Sequence, residues 1–268
     1  MQRQLADLGP TITSPANDKV KYVRTLGRRR ERYKEGRFII EGIRLLEEAL
    51  GAGCVPALVF FVPGLEEANR AANLLREAMA LTPEVYAVGL NVMEMLTDTV
   101  TPQGLLAVVP FPTRAPSKDD LLLVLDGIQD PGNLGTLLRS AEAAGVDQVL
   151  CAPGTVDAYN PKVVRAGAGV HFRLSLAELD WPQVKARVMG KAVRLAEQGH
   201  SAAYYQVDWR QPAALIVSNE GAGASREARA LAAERVAVPM RGGAESLNVG
   251  VAASIILFEA ARQRATAR

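Results

Sequence analysis

Three short polar stretches carry the residue types that could do chemistry in this chain. Each combines glycine with Asn, Ser, Glu or Arg beside an apolar run, and they lie at residues 126–141, 218–223 and 241–248. Glycine lets a ligand approach the backbone closely. In open α/β sheets, ligands bind at the edge where the strands end. Each stretch on its own is therefore a weak indication of a ligand site at such an edge.

The first stretch contains Asn133 and Arg139, six residues apart in a segment predicted to be helical over 133–144. Two side chains with this spacing do not share one face of an ideal helix. If they cooperate, Asn133 must act from the preceding loop or from the first turn. The simpler interpretation is an N-capping Asn133 and a solvated Arg139.

The second stretch follows a predicted buried strand that ends at Ser218, and it contains Glu220. The carboxylate of Glu220 either caps the following helix or holds a cation such as Arg139. The residues alone leave both interpretations open.

The third stretch leads into a helix predicted over residues 247–262. Ser246 is the predicted N-cap, because its hydroxyl can accept a hydrogen bond from a free N–H of the first turn. This helix is apolar almost all round, which predicts burial at an internal seam or against a second subunit. Its simplest interpretation is a capped core helix.

Several common kinds of site are absent from the sequence. No Gly-x-Gly-x-x-Gly follows a predicted strand, and the chain has no phosphate-binding Gly-x-x-x-x-Gly-Lys-Ser/Thr loop. His171 and His200 lack the neighbours of a metal site, so no metal is predicted. No motif places a histidine beside Ser246, which gives a hydrolase triad little support. An α/β enzyme acting on another nucleotide is an alternative at this point.

The composition indicates a cytoplasmic protein with a full apolar core. Hydrophobic residues make up 49% of the 268-residue chain, yet no apolar run is long enough to span a membrane. The N-terminus lacks the apolar segment of a secretory signal. Cys54 and Cys151 lie far apart, and two buried free thiols fit a reducing compartment.

Positive charge is concentrated near the N-terminus. Residues 1–40 hold ten Lys and Arg against four Asp and Glu, whereas residues 41–112 hold three against nine. A dense run of one sign, here with Tyr22 and Tyr33 among the cations, favours contact with a phosphate backbone over a merely solvated face. The predicted nucleic-acid contacts are Lys19, Lys21, Arg24, Arg28, Arg29, Arg30 and Arg37.

Alternating strand and helix patterns predict two α/β domains. Residues 1–112 form the smaller one. A linker follows at 113–120, predicted from three prolines within residues 110–117. The second domain, residues 121–268, opens on Leu121–Asp126, a continuous apolar run typical of a parallel strand covered on both faces.

Together, the three stretches resemble the motifs of the SpoU (TrmH) family of RNA ribose methyltransferases, within the SPOUT superfamily. The resemblance covers about residues 121–263. The N-terminal part resembles the substrate-binding domain of rRNA-directed members through Glu41-Gly42 and through the run of cations from Lys19 to Arg37, which we call the basic arm. The matching motifs are Pro131-Gly132-Asn133-Leu134-Gly135 with Arg139, then Asn219-Glu220-Gly221-Ala222-Gly223, then Ser246-Leu247-Asn248-Val249.

This resemblance implies a trefoil-knot catalytic domain that binds S-adenosyl-L-methionine in the knot and forms a homodimer through it. The turns at 195–199, 218–221, 238–243 and 247 would supply backbone partners for the cofactor. Val238, Met240 and Leu247 would line the adenine pocket. The cofactor-binding residues implied are Ser218, Asn219, Gly221, Val238, Met240, Leu247 and Asn248.

The implied reaction is methyl transfer to a ribose 2′-hydroxyl without a metal. Arg139 would stand closest to the reacting oxygen, and its permanent charge favours stabilising the developing alkoxide over acting as a base. Asn133 and Glu220 would hold its guanidinium, while Ser246 and Asn248 would orient the ribose or the arginine.

The extra N-terminal domain favours ribosomal RNA, most of all 23S rRNA, as the substrate. Two alternatives stay open within the family: a tRNA 2′-O-methyltransferase, and a non-catalytic RNA-binding relative that keeps the knot.

Overall fold

The computed structural model describes residues 11–97, 101–118, 120–199, 201–219, 221, 223–243 and 245–266. The chain divides into two compact units. The first comprises Met1–Pro112 with Tyr159–Phe172, and the second comprises Thr113–Ala158 with Arg173–Arg268. Among the described residues, no helix is long and apolar enough to cross a membrane.

Ten α-helices occur in the described part of the chain. They are α1 Asp18–Thr25, α2 Arg29–Glu35, α3 Ile43–Gly51, α4 Asn69–Leu81, α5 Leu90–Leu96, α6 Pro131–Ala143, α7 Pro161–Gly167, α8 Trp181–Val188, α9 Arg226–Leu231 and α10 Val249–Ala265.

Eleven strands are described. They are β1 Arg37–Glu41, β2 Leu58–Phe61, β3 Val85–Ala87, β4 Leu105–Pro110, β5 Leu121–Asp126, β6 Gln148–Cys151, β7 Leu176–Glu178, β8 Ala192–Ala196, β9 Ala202–Ala203, β10 Ala213–Ser218 and β11 Glu234–Ala237.

The first unit is built on a four-stranded sheet in the order β1-β4-β2-β3. Strand β4 is antiparallel to β1 and β2, while β2 and β3 are parallel. Alternate residues of these strands join two apolar clusters, because successive side chains point to opposite faces. One cluster includes Leu46 and Leu75 from α3 and α4, and the other includes Val23 and Met93 from α1 and α5.

The second unit is built on a seven-stranded sheet in the order β7-β6-β5-β10-β8-β11-β9, and every pairing in it is parallel. Strand β5 lies between β6 and β10, and all six of its residues are buried. This confirms the predicted α/β class and the prediction that Leu121–Asp126 is covered on both faces.

Helices α6 and α10 pack closely against each other. A Cβ added to Gly250 would lie 3.0 Å from the Thr136 methyl carbon, so the backbone of α10 comes as near as glycine permits. The hydroxyls of Ser140 and Ser254 are 2.7 Å apart. Ser254 donates to the carbonyl of Gly250, so Ser140 must donate to Ser254. These contacts fix the register of the two helices that carry Arg139 and Asn248.

Asp147 fixes the start of β5. It is 9% exposed, and its carboxylate accepts hydrogen bonds from the Ser117 hydroxyl and from the backbone N–H groups of Lys118, Asp120 and Leu121. Burial by itself raises the pKa of this carboxyl, but the hydrogen bonds outweigh burial and hold its pKa below the ordinary value. The ionised form is therefore the one that the fold stabilises.

We predict that Asp147→Asn lowers the free energy of unfolding by about 1–3 kcal/mol at neutral pH. Because the pKa of Asp147 is lower in the folded state, its stabilisation is present above the unfolded-state pKa of ~3.9 and is lost as pH falls through the folded-state value. The difference between the two proteins should shrink in urea titrations below about pH 4. Glu94→Gln, at an exposed position, is the control; a difference that stays constant with pH would contradict the prediction.

Candidate cofactor-binding and catalytic site

The first two polar stretches meet at the carboxyl ends of β5 and β10. Asp126, the last residue of β5, is 4% exposed. Its Oδ2 accepts hydrogen bonds from the Ser218 hydroxyl at 2.9 Å and from the Ser225 N–H at 2.7 Å. Ser225 in turn caps α9. One buried carboxylate therefore sets the position of the turn that follows β10.

Asn219 shapes that turn. Its Nδ2 donates to the carbonyl of Gly127 at 3.1 Å, and its Oδ1 accepts from the N–H of Gly221 at 2.8 Å. The turn closes through a backbone hydrogen bond from Gly223 to Asn219. Gly223 has φ +68°, a conformation that favours glycine. Glu220 lies outside the described residues, so its predicted role stays a prediction.

The first and third stretches meet through a hydrogen bond between two amides. Nδ2 of Asn248 donates to Oδ1 of Asn133 at 2.9 Å. Asn133 lies in the first turn of α6, where the sequence required it to be for a role in the site. The helix itself is capped by Asp130, which accepts from the Asn133 N–H at 2.7 Å. The interpretation of Asn133 as an N-cap is therefore wrong.

The predicted N-cap of the last helix is also wrong. Asn248, and not Ser246, caps α10: its Oδ1 accepts from the N–H groups of Gly250 at 2.9 Å and Val251 at 3.4 Å. The helix begins at Val249, two residues after its predicted start, and runs to Ala265. Serine and asparagine are comparable N-caps, and the short spacing between the two candidates let either one serve.

Arg139 lies on the exposed side of α6, just before the half-buried contact between Ser140 and Ser254. Within the described part of the chain, its guanidinium forms no hydrogen bond or ion pair. Asn133, which was predicted to hold this guanidinium, accepts a hydrogen bond from Asn248 at Oδ1 instead. The structure thus brings Asn133 and Asn248 together and leaves the Arg139 side chain facing solvent. Its predicted contact with Glu220 stays a prediction, because Glu220 lies outside the described residues.

A cavity opens beside these stretches, at the carboxyl ends of β8, β10 and β11. It is lined by four of the predicted cofactor-binding residues: Ser218, Asn219, Val238 and Leu247. Ser246 lines it too, so this residue faces the cavity rather than capping the helix. The other predicted cofactor-binding residues, Gly221, Met240 and Asn248, are not among its described lining residues.

The sequence analysis missed the wall that α10 contributes. Val249, Ala252 and Ile256 line the cavity and share one helix face, because they are spaced by three and four residues. This spacing was visible in the sequence, but a helix that is apolar all round does not reveal which face meets a ligand.

Glu197 supplies a carboxylate to the same cavity. Its Oε1 accepts from the Arg229 guanidinium at 2.9 Å, and its Oε2 lies 3.4 Å from Nε of Arg235. Oε2 is buried and accepts no hydrogen bond from the residues that the structure describes. Apart from the ion pair with Arg235, this oxygen therefore keeps acceptor capacity that a ligand in the cavity can use.

The predicted RNA-binding cations of the first unit fall into two groups. Lys19 pairs with Glu84 at 2.5 Å, a hydrogen bond that raises the pKa of the lysine, and Arg37 donates to the Tyr22 hydroxyl. The remaining five are exposed: Lys21, Arg24, Arg28, Arg29 and Arg30.

Arg32 shows why a charge count is not a list of contacts. It lies inside the basic run, yet it is only 1% exposed and donates to the carbonyls of Leu26 and Gly27 just beyond the end of α1. This arginine therefore stabilises the junction between α1 and α2.

The fold and the site define an α/β protein of two units, the second with a cavity at the carboxyl ends of its parallel strands. Residues 120–258 match the SpoU rRNA Methylase family, and residues 17–107 match the MRM3-like substrate binding domain. The chain belongs to the SpoU rRNA methylase family.

Characterised relatives match over most of their length. The 23S rRNA (guanosine(2553)-2′-O)-methyltransferase RlmP of Bacillus subtilis is 34% identical over 250 residues, which cover 92% of this chain and 97% of RlmP. The 23S rRNA (uridine(2479)-2′-O)-methyltransferase of Streptomyces viridochromogenes is 33% identical over 261 residues, which cover 91% and 88%. The AdoMet-bound rRNA methyltransferase of Sinorhizobium meliloti superposes with a TM-score of 0.83 at 27% identity, covering 94% of this chain and 97% of that one.

We predict that two substitutions of Asn248 separate its functions. Asn248→Ala removes the helix cap and the amide donor, and it should lower the free energy of unfolding by about 1 kcal/mol. Asn248→Asp keeps an acceptor that caps the helix and suits its N-terminus, so stability should stay within about 0.5 kcal/mol. Urea denaturation measures both. Equal destabilisation by the two variants would show that the cap contributes nothing.

Proposed function

We propose that this protein transfers a methyl group from S-adenosyl-L-methionine to a ribose 2′-hydroxyl of 23S rRNA. The observation that carries the proposal is the hydrogen bond between Asn133 and Asn248, which joins two motif-bearing helices beside the cavity. The relatives named above act on 23S rRNA, and the match over residues 17–107 to a substrate-binding domain favours ribosomal RNA over tRNA. An enzyme that acts on this RNA would work in the cytoplasm.

The cavity suits the cofactor. Its apolar wall of Val238, Leu247 and Ile256 can cover an adenine ring, and the carbonyl and N–H groups of the surrounding turns can pair with the ring edge. The buried Oε2 of Glu197 can accept a hydrogen bond from a hydroxyl donor such as the cofactor ribose. When bound, the cofactor supplies an electrophilic methyl group on its sulfonium.

The chain's own residues would activate and place the hydroxyl. A 2′-hydroxyl becomes a good nucleophile as its proton leaves, and the negative charge that develops needs a fixed positive partner. An arginine side chain carries a positive charge, and the planar fork of Arg139 can donate two parallel hydrogen bonds. Asn133 and Asn248 hold each other at the N-terminal ends of α6 and α10, and Ser246 offers a hydroxyl from the cavity wall.

We predict that Arg139→Ala lowers the rate of methyl transfer by roughly 100- to 1,000-fold, as expected for loss of one donor to a developing oxyanion. Binding of S-adenosylhomocysteine should change less than about twofold, because Arg139 is not among the described residues that line the cavity. Radiolabelled cofactor with rRNA measures the first quantity and calorimetry the second. Arg76→Ala, at an exposed site in α4, is the matched control.

Two outcomes of this experiment would contradict the proposal. Turnover by Arg139→Ala comparable to that of the parent would remove this residue from the reaction. No binding of S-adenosylhomocysteine by the parent would remove the cofactor, and with it the enzyme class.

The proposal includes the homodimer and the trefoil knot of the family. A stripe of Val251, Ile255 and Phe258 lies along one face of α10, and the first and last of these are 46% and 51% exposed. So much apolar surface on one face is typical of an interface.

After the strand β11, the chain returns to pack α10 against α6 and β10, which supports a threaded C-terminus.

We predict that Phe258→Lys dissociates the proposed dimer, because it places a charge in the apolar stripe. Sedimentation velocity should show the parent as a dimer and the variant as a folded monomer. Met189→Lys changes a more exposed side chain, 79% exposed on another element, and should leave the dimer intact. A monomeric parent would refute the proposed assembly.

The proposal assigns RNA binding to residues 1–112 and methyl transfer to residues 121–268, with residues 113–120 between them. The five exposed cations of the basic arm would contact the phosphate backbone, because their side chains are open to solvent; among them Lys21 also pairs with Asp18 at 3.1 Å.

A further inference from the structure

An aromatic cluster reaches the surface of the first unit beside the basic arm. Phe111 and Tyr159 stack with ring centroids 3.9 Å apart. Tyr33 meets Phe111 edge to face at 5.2 Å and lies 6.5 Å from Tyr159. The cluster continues into the core at Phe38, which is fully buried. Tyr33 is therefore the outer end of an aromatic column that the core holds in place.

Tyr33 combines exposure with positive charge. Its side chain is on α2, 38% of the residue is exposed, and the guanidinium carbon of Arg29 lies 5.2 Å from its ring centroid. Arg28 and Arg30 are exposed on the same turn. An aromatic ring held rigidly among exposed arginines offers a stacking surface together with phosphate partners.

We propose that Tyr33 stacks against an unpaired base of the RNA substrate, while Arg28, Arg29 and Arg30 contact the phosphates around it. This inference rests on the proposed function, since it concerns the RNA that is to be methylated. Bases within a duplex are already stacked on each other, whereas bases in loops and bulges can be stacked on aromatic side chains. The RNA bound by this unit therefore presents a single-stranded nucleotide to α2.

A purely structural role for Tyr33 makes a different prediction. If Tyr33 only covers the cluster beneath it, its loss lowers stability and affects RNA only through unfolding. Tyr33→Phe keeps the planar ring, and Tyr33→Leu keeps apolar cover but removes the flat face. The comparison of these two variants isolates stacking, provided that both unfold at urea concentrations close to that of the parent.

The test measures the affinity of the full chain for two probes by fluorescence anisotropy over a salt series. The probes are a mixed-sequence single-stranded RNA of about 12 nucleotides and the duplex that it forms with its complement. Tyr33→Leu should weaken single-strand binding by roughly tenfold or more without changing the salt dependence, whereas Tyr33→Phe should bind like the parent. Duplex binding should not respond to either substitution.

Two control variants calibrate the measurement. Arg30→Ala should weaken binding and reduce the slope of log affinity against log salt by about 0.7 for the single strand, because it removes one phosphate contact. Tyr205→Leu changes another exposed tyrosine, 50% exposed in the second unit, and should have no effect.

The outcomes separate this inference from the proposed function. A response to Arg30→Ala with no response to Tyr33→Leu would overturn base stacking and leave RNA binding by the basic arm intact. Equal weakening of single-strand and duplex binding by Tyr33→Leu would also overturn base stacking. Failure of the parent to bind either probe would overturn both.

Discussion

The hydrogen bond from Asn248 to Asn133 joins two parts of the chain that lie 115 residues apart. It forms only because α10 approaches α6 at a distance that Gly250 permits and that the hydroxyls of Ser140 and Ser254 keep. Asn248 also caps α10, so a single side chain sets where the helix begins and where it meets α6. The α10 wall of the cavity follows from this arrangement, because Val249 and Ala252 lie in the first turn of the helix.

Asp126 likewise holds two separate segments together, on the other side of the site. Its carboxylate is buried at the end of a central strand, where it holds the hydroxyl of Ser218 and the N–H of Ser225. The amide of Asn219 adds a contact to Gly127. The polar groups of the site are therefore used first to hold each other, and the exposed Arg139 stands at the margin of a preformed frame. In the proposed reaction, such a frame would keep donors aimed at the reacting atom without reorganisation.

Much of this arrangement could be predicted from the residues. The apolar run of β5 and the alternation of strand and helix patterns indicated a covered parallel sheet, and the structure confirms it. The resemblance of the three polar stretches to the family motifs implied that they converge, and their positions at strand ends agree with this, since ligands in such sheets bind where the strands end. The link between Asn133 and Asn248, and that between Ser218 and Asp126, are the contacts by which they converge.

The remainder depends on tertiary packing that local patterns do not encode. Ser246 and Asn248 are both good capping residues and lie two residues apart. Asn248 is the one that caps α10, and it is also the one that contacts α6 through Asn133. The burial of Arg32 depends on the geometry of the junction between α1 and α2 and not on the charge of the run. Likewise, residues 159–172 belong to the first unit because Tyr159 and Phe172 complete its aromatic cluster, although their sequence neighbours lie in the second.

The position of α10 in the chain has a consequence for folding during synthesis. This helix follows every described strand of the seven-stranded sheet along the chain, yet it provides one wall of the cavity through Val249, Ala252 and Ile256. A nascent chain that has completed every strand of the sheet still has an open trough in place of a cavity. In the proposed enzyme, cofactor binding would therefore have to wait until α10 has left the ribosome and docked, and chains that stop before α10 should not bind the cofactor.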